Sequence, residues 1–245
     1  MGQCIAVVSG KGGTGKTSLT AGVGAALALS GKSVLCVDCD IGLRNLDLSL
    51  GLTDRALMDF SDVAQGRCAL ESAVVRHPGV KNLWLLTAPV RMRGRPVTEE
   101  QMRELMAQIR SRFDYCLLDA PAGLGTGFLL ATAAADRCIV VTTSDASSLR
   151  DAQRAVTELS HIRRVHLVMN RIQPKLLRKL RTTIDDAMNA AGLPLLGVVP
   201  EDPQVMLCAN RGLPITSQGR KGAAQACWNI AQRLEGRQTP IMRIR

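Results

Sequence analysis

Nine residues near the amino terminus have the types and spacing of a phosphate-binding loop. Residues 9–17 read SGKGGTGKT, in which Gly10, Gly15, Lys16 and Thr17 match the pattern G-x-x-x-x-G-K-[ST]. Glycines allow the backbone to curl so that successive N–H groups point at phosphate oxygens, and the start of the following helix adds a positive dipole. The loop therefore predicts a nucleotide site in which Lys16 neutralises phosphate charge and the Thr17 hydroxyl binds Mg²⁺.

The same loop contains a second lysine, Lys11, directly after its first glycine. The pattern requires only one lysine, and Lys16 already meets that requirement. From the residues alone, two interpretations of Lys11 stay open. It contacts the phosphates of its own chain, or it is a solvated loop lysine.

Two apolar segments end in aspartates that a nucleotide site could use. VLCVDCD ends with Asp38 and Asp40, and YCLLDAPAG contains Asp119. Ligands of parallel sheets bind beyond the carboxyl ends of the strands, and strand side chains alternate with a period of two. We therefore expect all three carboxylates to face one crevice with Lys16. Helix capping or turn formation is the alternative for each aspartate, most of all for Asp40, where the chain must turn.

The elements that must position these residues alternate along the whole chain. Short, continuous apolar segments predict buried parallel strands, and amphipathic stretches between them predict helices. The sequence predicts a doubly wound α/β fold with a mostly parallel sheet and helices on both faces. Residues 1–235 are predicted to form one domain, followed by a short tail at 236–245. The predicted strands are 5–8, 33–37, 83–86, 115–118, 138–142, 165–169 and 195–199, and the predicted helices are 16–30, 98–112, 125–134, 148–161, 176–191 and 222–234.

Composition narrows the class of protein and of partner. The formal net charge of +10 favours anionic partners such as nucleotides, nucleic acids or anionic membrane surfaces. The start of the chain has no secretory signal pattern, and no apolar run has the length of a membrane span. Several cysteines lie inside apolar segments, as reduced thiols do in cytoplasmic proteins. The segment RMRGRP at 91–96 is predicted to be a solvated basic turn.

Several segments together resemble the MinD/ParA family of P-loop ATPases. KGGTGKT, with its additional lysine, is similar to the deviant Walker A motif of that family, and VDCDIGLRNLDLSLGL at 37–52 is similar to the segment that marks its MinD branch. LLDAPAGLGTG at 117–127 resembles switch II. SSLRDA, VMNR and VVPEDPQV continue the match, so that the resemblance extends in order from the first strand to about residue 234.

The resemblance implies a fold, an activity and a set of site residues. It implies an ATPase that binds Mg·ATP, dimerises with two nucleotides at the interface and hydrolyses ATP slowly until a partner stimulates it. Lys11 would reach across the dimer to the partner's ATP, Asp40 would orient the attacking water, and Lys16 would complete the catalytic set. The implied phosphate-binding residues are Gly10, Lys11, Gly12, Gly13, Thr14, Gly15, Lys16, Thr17 and Ser18. The implied adenine-binding residues are Asn170, Arg171, Pro200, Glu201 and Asp202. The implied Mg²⁺-binding residues are Thr17, Asp38 and Asp119, and the implied switch residues are Gly42, Asn45, Pro121 and Gly123.

The same resemblance implies partners and a location. It implies a homodimer in the ATP state, a MinC-type inhibitor, a MinE-type or other activator, and peripheral binding to the inner face of the cell membrane. The sequence departs from the family at two places that bear on these partners and on the location. Members usually continue into an amphipathic anchor helix, whereas this sequence ends in GRQTPIMRIR, and Thr143-Ser144-Asp145 stands where the family often has Asn-Pro-Glu.

Three other functions stay open from the sequence. The charge of +10 favours a ParA-type partition ATPase that binds DNA, although GLRNLDL argues against it. A flagellar-number-type regulator would be gated by nucleotide with little catalysis. Iron–sulfur carriage, as in relatives of the nitrogenase iron protein, ranks last because DAPAGLGTG contains no cysteine.

Overall fold

A computed structural model describes residues 2–91 and 94–244 of the chain. Its centre is an eight-stranded sheet with the order β3-β4-β2-β5-β1-β6-β7-β8. Every neighbouring pair is parallel except β3 and β4, which pair antiparallel at one edge. The strands are β1 Gln3–Val8, β2 Val34–Asp38, β3 Val75–Arg76, β4 Leu83–Leu86, β5 Tyr115–Asp119, β6 Arg137–Thr142, β7 Val165–Ile172 and β8 Leu195–Pro200.

Helices cover both faces of the sheet, which confirms the predicted doubly wound α/β fold. They are α1 Lys16–Leu29, α2 Leu46–Leu50, α3 Phe60–Ala64, α4 Leu70–Ala73, α5 Glu99–Arg110, α6 Thr126–Thr132, α7 Ala146–Glu158, α8 Pro174–Leu180, α9 Ile184–Ala191, α10 Pro203–Asn210 and α11 Gly222–Leu234. A short 3₁₀ helix, Ile215–Gln218, precedes α11.

The core consists of two apolar layers, one on each face of the sheet. Helices α1 and α11 contribute to one layer, and α5, α6, α7 and α9 contribute to the other. Helix α5 shows how local sequence produces such a layer. Thr98 and Gln101 form a reciprocal cap at its start, and its buried residues recur at helical spacing, at Met102, Leu105, Met106 and Ile109.

One predicted helix is wrong. The segment 176–191 was expected to be continuous, but it forms two helices, α8 and α9. Arg181 has φ of 52°, in the left-handed region, and ends the first helix. Thr183 then caps the second through a reciprocal pair of hydrogen bonds with Asp186. The signal was the cap Thr183-x-x-Asp186 inside an otherwise periodic segment.

The sequence prediction also missed the small elements. Helices α2, α3 and α4 and strand β3 each contain five residues or fewer, too few for a hydrophobic period to appear. Strand β2 begins one residue later than predicted, because Ser33 binds Asp114 through both its N–H and its hydroxyl.

The carboxyl-terminal segment packs on the body of the protein. Arg233 donates to the carbonyl oxygen of Thr239, and the half-buried Met242 and Ile244 pack against the two core layers. Arg245, the last residue of the predicted tail, and Met92 and Arg93 of the predicted basic turn lie outside the described residues. Within the described part of the chain, no helix has the length and apolar composition needed to cross a bilayer.

All eight cysteines are free thiols. Cys36 and Cys39 have C-x-x-C spacing, but both are buried, and burial raises the pKa of each thiol. A raised thiol pKa opposes redox exchange and metal ligation, so these residues act as small core side chains.

Candidate functional site

The predicted phosphate loop joins the carboxyl end of β1 to the start of α1. Gly15 occupies the N-cap position with φ of 89°, and no side chain caps this end of α1. Gly10 is required for a different reason: a Cβ there would lie 2.1 Å from the carbonyl oxygen of Asp151. The loop thus leaves the first amides of α1 without a side-chain acceptor, as an anion site requires.

Lys16 lies under this loop and has no acidic side chain within ion-pair distance among the described residues. Only 7% of the residue is exposed, and its Nζ donates to Ser9 Oγ at 2.7 Å. Burial lowers the pKa of Lys16, while the charges of Asp119 and Asp40 oppose that effect. The ammonium group is therefore held by a neutral hydroxyl, which leaves its charge available to an anion.

Lys11 points elsewhere and does not line the cavity beside the loop. Its Nζ lies 2.8 Å from Ser147 Oγ and 3.2 Å from Asp145 Oδ1, at the start of α7. Burial raises the pKa of Asp145, but hydrogen bonds from Thr143, Ser147 and Lys11, among others, outweigh it and hold that pKa well below its usual range. In the single chain, therefore, Lys11 is partly exposed, is ion-paired with Asp145, and lies outside the cavity beside its own loop.

Asp119 lies at the end of β5, next to the phosphate loop. Its carboxylate accepts a hydrogen bond from Thr17 Oγ1 at 2.6 Å, and only 2% of the residue is exposed. Asp38 stands beside it in the sheet register. Burial is the main cause that raises the pKa of Asp119 to about 7, and the neighbouring Asp38 adds to it. A carboxylate held this way binds a divalent cation in exchange for its proton.

The expectation that Asp38 faces the crevice is wrong. Its two carboxylate oxygens accept hydrogen bonds from the backbone N–H groups of Asp40 and Leu46, at 2.8 and 3.1 Å. Strand β2 ends at Asp38, so the alternation that would place Asp38 and Asp40 on one side stops there. Burial raises the pKa of Asp38 to about 6. Of the three predicted carboxylates, Asp40 lines the cavity, whereas Asp38 and Asp119 do not, and Asp119 adjoins the site only through its contact with Thr17.

A cavity of about 820 Å³ extends from the phosphate loop toward the loop after β8. All five residues expected to contact adenine line it: Asn170, Arg171, Pro200, Glu201 and Asp202. Gly12, Gly13, Gly15, Lys16, Thr17 and Ser18 of the phosphate loop also line it, whereas Gly10, Lys11 and Thr14 do not. The structure thus brings the predicted adenine and phosphate residues to one cavity.

Two of the expected adenine residues also support the phosphate loop. Asn170 Nδ2 donates to the carbonyl oxygen of Thr14 at 2.8 Å, and Arg171 donates to the carbonyl oxygen of Gly13 at 3.4 Å. Arg171 has φ of 56° and forms an ion pair with Glu201 at 2.8 Å. These contacts join the end of β7 to the loop.

Asp202 has a structural task. Its oxygens accept from the N–H groups of Gln204 and Ala223, at 2.9 Å each, and thereby cap α10 and the start of α11. This carboxylate is therefore occupied, although the residue lies at the wall of the cavity.

The apolar wall opposite the loop was not anticipated from the sequence. It contains Leu43, Val199, Pro203, Val205, Met206, Ala209 and Ile215. The available signal was α10, which begins inside VVPEDPQV at Pro203 and contributes four of these residues, Pro203, Val205, Met206 and Ala209.

The predicted switch residues lie in two turns beside the site. Gly42 and Gly123 have φ of 98° and 83°, a region that favours glycine. Asn45 precedes α2 and lines the cavity. Pro121 packs closely on Gly127. A Cβ added to Gly127 would lie 2.4 Å from Pro121 Cγ.

The donors present fit a Mg·nucleotide. A buried lysine, a threonine hydroxyl paired with a buried carboxylate, and uncapped helix amides are the groups that P-loop enzymes use for phosphates and Mg²⁺. Among the described residues, no group of three His, Cys, Asp or Glu side chains could hold a metal ion by itself. The donor set suits a cation that arrives with phosphate oxygens and keeps water ligands.

Comparisons with known proteins agree with this geometry. Residues 5–215 match the CobQ/CobB/MinD/ParA nucleotide binding domain. The septum site-determining protein MinD of Synechocystis is 38% identical over 246 residues, covering 99% of this chain and 92% of the relative. The MinC:MinD cell division protein complex of Aquifex aeolicus contains a similar chain, with a TM-score of 0.91, 36% identity and 98% coverage of both chains. MinD of Pyrococcus horikoshii, solved with Mg-ADP, gives a TM-score of 0.83, 29% identity and 96% coverage of both.

The domain family matches most of the chain, and the MinD relatives match nearly all of it. These matches confirm the resemblance inferred from the motifs. The chain belongs to the MinD/ParA family of P-loop ATPases and, within that family, to the septum site-determining MinD proteins.

Proposed function

We propose that this chain is an ATP-switched dimer that helps to position the cell-division site. It binds ATP with Mg²⁺, associates with a second copy, and hydrolyses ATP slowly in the absence of an activator. The observation that supports this most is the separation of two lysines. Lys16 lies at the cavity, while Lys11, in the same loop, is held outside it on Asp145.

The residues at the cavity have separate tasks in this proposal. Lys16 and the amides at the start of α1 hold the terminal phosphates, and Thr17 with Asp119 holds the cation. Asp40 lines the cavity with its carboxylate half-buried, where it orients and deprotonates the attacking water. Bound Mg²⁺ would neutralise charge on the phosphates. Asp38 holds the turn between Asp40 and Leu46 through two backbone hydrogen bonds.

The second copy supplies the missing cation. Charge that develops on the transferred phosphoryl group is stabilised by positioned cations, and a basic residue donated in trans contributes about 10³–10⁵ in rate in other enzymes. Lys11 of a single chain does not line its own cavity, so hydrolysis by the isolated chain should be slow. In the dimer, Lys11 leaves Asp145 and contacts the nucleotide of the partner subunit.

The proposed partners of the dimer are a MinC-type inhibitor, an activator of MinE type or of another kind, and an anionic membrane surface. The Aquifex relative, which was solved as a MinC:MinD complex, supports the first of these. Asp145, which stands where the family often has glutamate, keeps an acidic group beside Lys11. An activator that binds near the start of α7 would therefore meet the Lys11 contact.

The rate of phosphate release at several protein concentrations tests this proposal. If two chains complete one site, the rate per chain rises with concentration and then reaches a plateau. Lys16→Ala should abolish the rate, while Lys32→Ala, a lysine far from the loop that pairs with Glu235, should not change it. A rate per chain that is independent of concentration would contradict the shared site. Dimerisation by ATP without phosphate release would favour the nucleotide-gated regulator instead.

A further inference from the structure

Helix α8 presents an unusual surface. None of its seven residues is buried, and the side chains of Lys175, Arg178 and Lys179 are exposed. Arg181, which ends the helix, is exposed as well. In the part of the chain that the structure describes, none of these four cations lies within ion-pair distance of a carboxylate, whereas Arg103, on α5, pairs with two glutamates.

The arrangement of these charges has a cost in the free chain. Lys175 and Lys179 are four residues apart on one face of the helix, a spacing at which like charges repel. Arg178 and Lys179 lie in the last turn, where the helix dipole favours cations, but Lys175 lies in the first turn, where it does not. An external anionic surface would relieve this repulsion.

Two leucines lie next to the cations. Leu176 and Leu180 are 39% and 49% exposed, and their spacing of four residues puts them on one side of α8. Leu177, on another side, packs against the core and attaches the helix to the body of the protein. The exposed surface therefore combines a cationic strip with an adjacent apolar strip.

This combination fits a lipid surface better than a nucleic acid. Amphipathic helices bind membranes by placing cations at anionic headgroups and apolar side chains below them. Nucleic-acid surfaces combine cations with polar or aromatic side chains that contact sugars and bases, and α8 has neither. The exposed leucines would stay in water on a nucleic acid.

The position of α8 connects it to the nucleotide site. Helix α8 begins two residues after the end of β7. Asn170 and Arg171 are among the last three residues of that strand. Both residues donate hydrogen bonds to backbone carbonyls of the phosphate loop. The basic and apolar surface therefore lies at the carboxyl edge of the sheet, close in sequence to residues that contact the loop.

We propose that α8, with Arg181, contacts an anionic lipid bilayer. The inference rests on the membrane part of the proposed function. It assigns the headgroup contact to Lys175, Arg178, Lys179 and Arg181 and the apolar contact to Leu176 and Leu180.

Co-sedimentation of the full chain with vesicles tests the inference. The probes are vesicles of phosphatidylcholine alone, vesicles with about one third phosphatidylglycerol, and a DNA duplex, each with Mg·ATP. Arg178→Gln/Lys179→Gln is compared with Lys81→Gln/Arg163→Gln, which removes one lysine and one arginine from exposed positions elsewhere. Leu176→Gln/Leu180→Gln is compared with Leu57→Gln, at a leucine that is 93% exposed. Sedimentation velocity of each variant with ATP checks that dimerisation is retained.

We expect the Arg178→Gln/Lys179→Gln variant to bind anionic vesicles about 25-fold more weakly, since each cation near such a surface contributes about fivefold. The leucine variant should bind about tenfold more weakly, and both controls should stay within about fivefold of the natural chain. Equal losses in the α8 variants and their controls would overturn the assignment to α8. DNA binding that falls in the Arg178→Gln/Lys179→Gln variant, with unchanged vesicle binding by the leucine variant, would show a nucleic-acid surface instead. No vesicle binding by the natural chain, despite normal dimerisation, would overturn both this inference and the membrane part of the proposed function, but not the dimer.

Discussion

The Nζ of Lys11 lies 3.2 Å from Asp145 Oδ1, so that the second lysine of the phosphate loop is ion-paired within its own chain. Lys16, five residues later, has a neutral partner in Ser9. The two lysines of one loop thus have different environments. One is available to a nucleotide in the same chain, and the other must leave an acidic partner before it can contact a nucleotide in another chain.

Release of Lys11 should become easier when Asp145 loses its charge. The side chains of this pair are 39% and 51% exposed, so the contact stabilises the single chain by only about 0.2–1 kcal/mol. In Asp145→Asn, asparagine still caps α7, and ATP-dependent dimerisation should strengthen by up to about fivefold. Analytical ultracentrifugation with ATP measures the change.

Asp151→Asn is the matched control for this prediction, because Asp151 lies on the same helix and pairs with Arg154 rather than with Lys11. It should leave the dimerisation constant unchanged. If Asp145→Asn dimerises more weakly than the natural chain, the contact assists dimerisation instead of opposing it, and the view of Asp145 as a resting partner is wrong.

Asp40 should be required for hydrolysis and not for binding. It lines the cavity, and burial raises its pKa, as suits a group that accepts a proton from water. Asp40→Asn should lower the rate of phosphate release about 100-fold or more, with ATP affinity within about threefold. Calorimetry and a phosphate assay measure the two quantities. Asp185→Asn, at an exposed carboxylate on α9, is the control, and parallel losses of binding and hydrolysis in Asp40→Asn would contradict the assigned role.

Asn170 should act through the phosphate loop. It is buried, and its Nδ2 donates to the carbonyl oxygen of Thr14 at 2.8 Å, so Asn170→Ala leaves a buried acceptor without its partner. Such a loss costs about 1–3 kcal/mol. We expect ADP affinity to fall about tenfold and the melting temperature to drop by several degrees. Asn189→Ala, on the exposed side of α9, should change neither quantity, and unchanged ADP affinity in Asn170→Ala would remove the residue from the site.

The buried carboxylates should make the nucleotide-free chain less stable as pH rises. Burial raises the pKa of Asp119 to about 7 and that of Asp38 to about 6, well above the usual value for an unfolded chain, about 3.9. The stability that such groups contribute is fully present below the unfolded pKa and is lost as pH rises through the folded pKa. Asp119→Asn removes the larger effect. It should therefore raise the melting temperature at about pH 8 by roughly 3–6 °C and flatten its dependence on pH between about 5 and 8.

The control for this prediction is Asp114→Asn. The pKa of Asp114 is lowered, first by the backbone hydrogen bond from Ser33, so this carboxylate stabilises the chain above the unfolded pKa, and its removal should destabilise the protein at about pH 8. A melting temperature for Asp119→Asn that falls at about pH 8 would mean that the hydrogen bond from Thr17 outweighs the cost of burying the charge.

The sheet and the phosphate loop could be predicted because their signals are local. The parallel strands are built on short apolar segments, and Gly15-Lys16-Thr17 stands between a strand and a helix. Helix α8 ends at Arg181, which adopts a left-handed backbone conformation. Glycine or asparagine at this position would have indicated such a conformation in the sequence, whereas arginine does not.

The orientation of side chains at the site could not be predicted in the same way. Strand β2 ends at Asp38, so Asp40 lies outside the strand and the alternation of strand side chains does not relate the two residues. The carboxylate of Asp38 accepts hydrogen bonds from the backbone N–H groups of Asp40 and Leu46, which hold it away from the cavity. The partner of Lys11 was equally hidden, because Asp145 is 134 residues away in the sequence. Contacts of this kind require the folded topology.

Sedimentation equilibrium of the Lys11→Ala variant is the sharpest test of the site shared by two chains. We expect the natural chain to be a monomer with ADP and a dimer with ATP. Lys11→Ala should stay a monomer with either nucleotide while binding ADP within about threefold of the natural affinity. Lys81→Ala, at an exposed lysine away from the loop, should still dimerise with ATP. A Lys11→Ala variant that dimerises with ATP as well as the natural chain does would contradict the claim that a second copy completes the site.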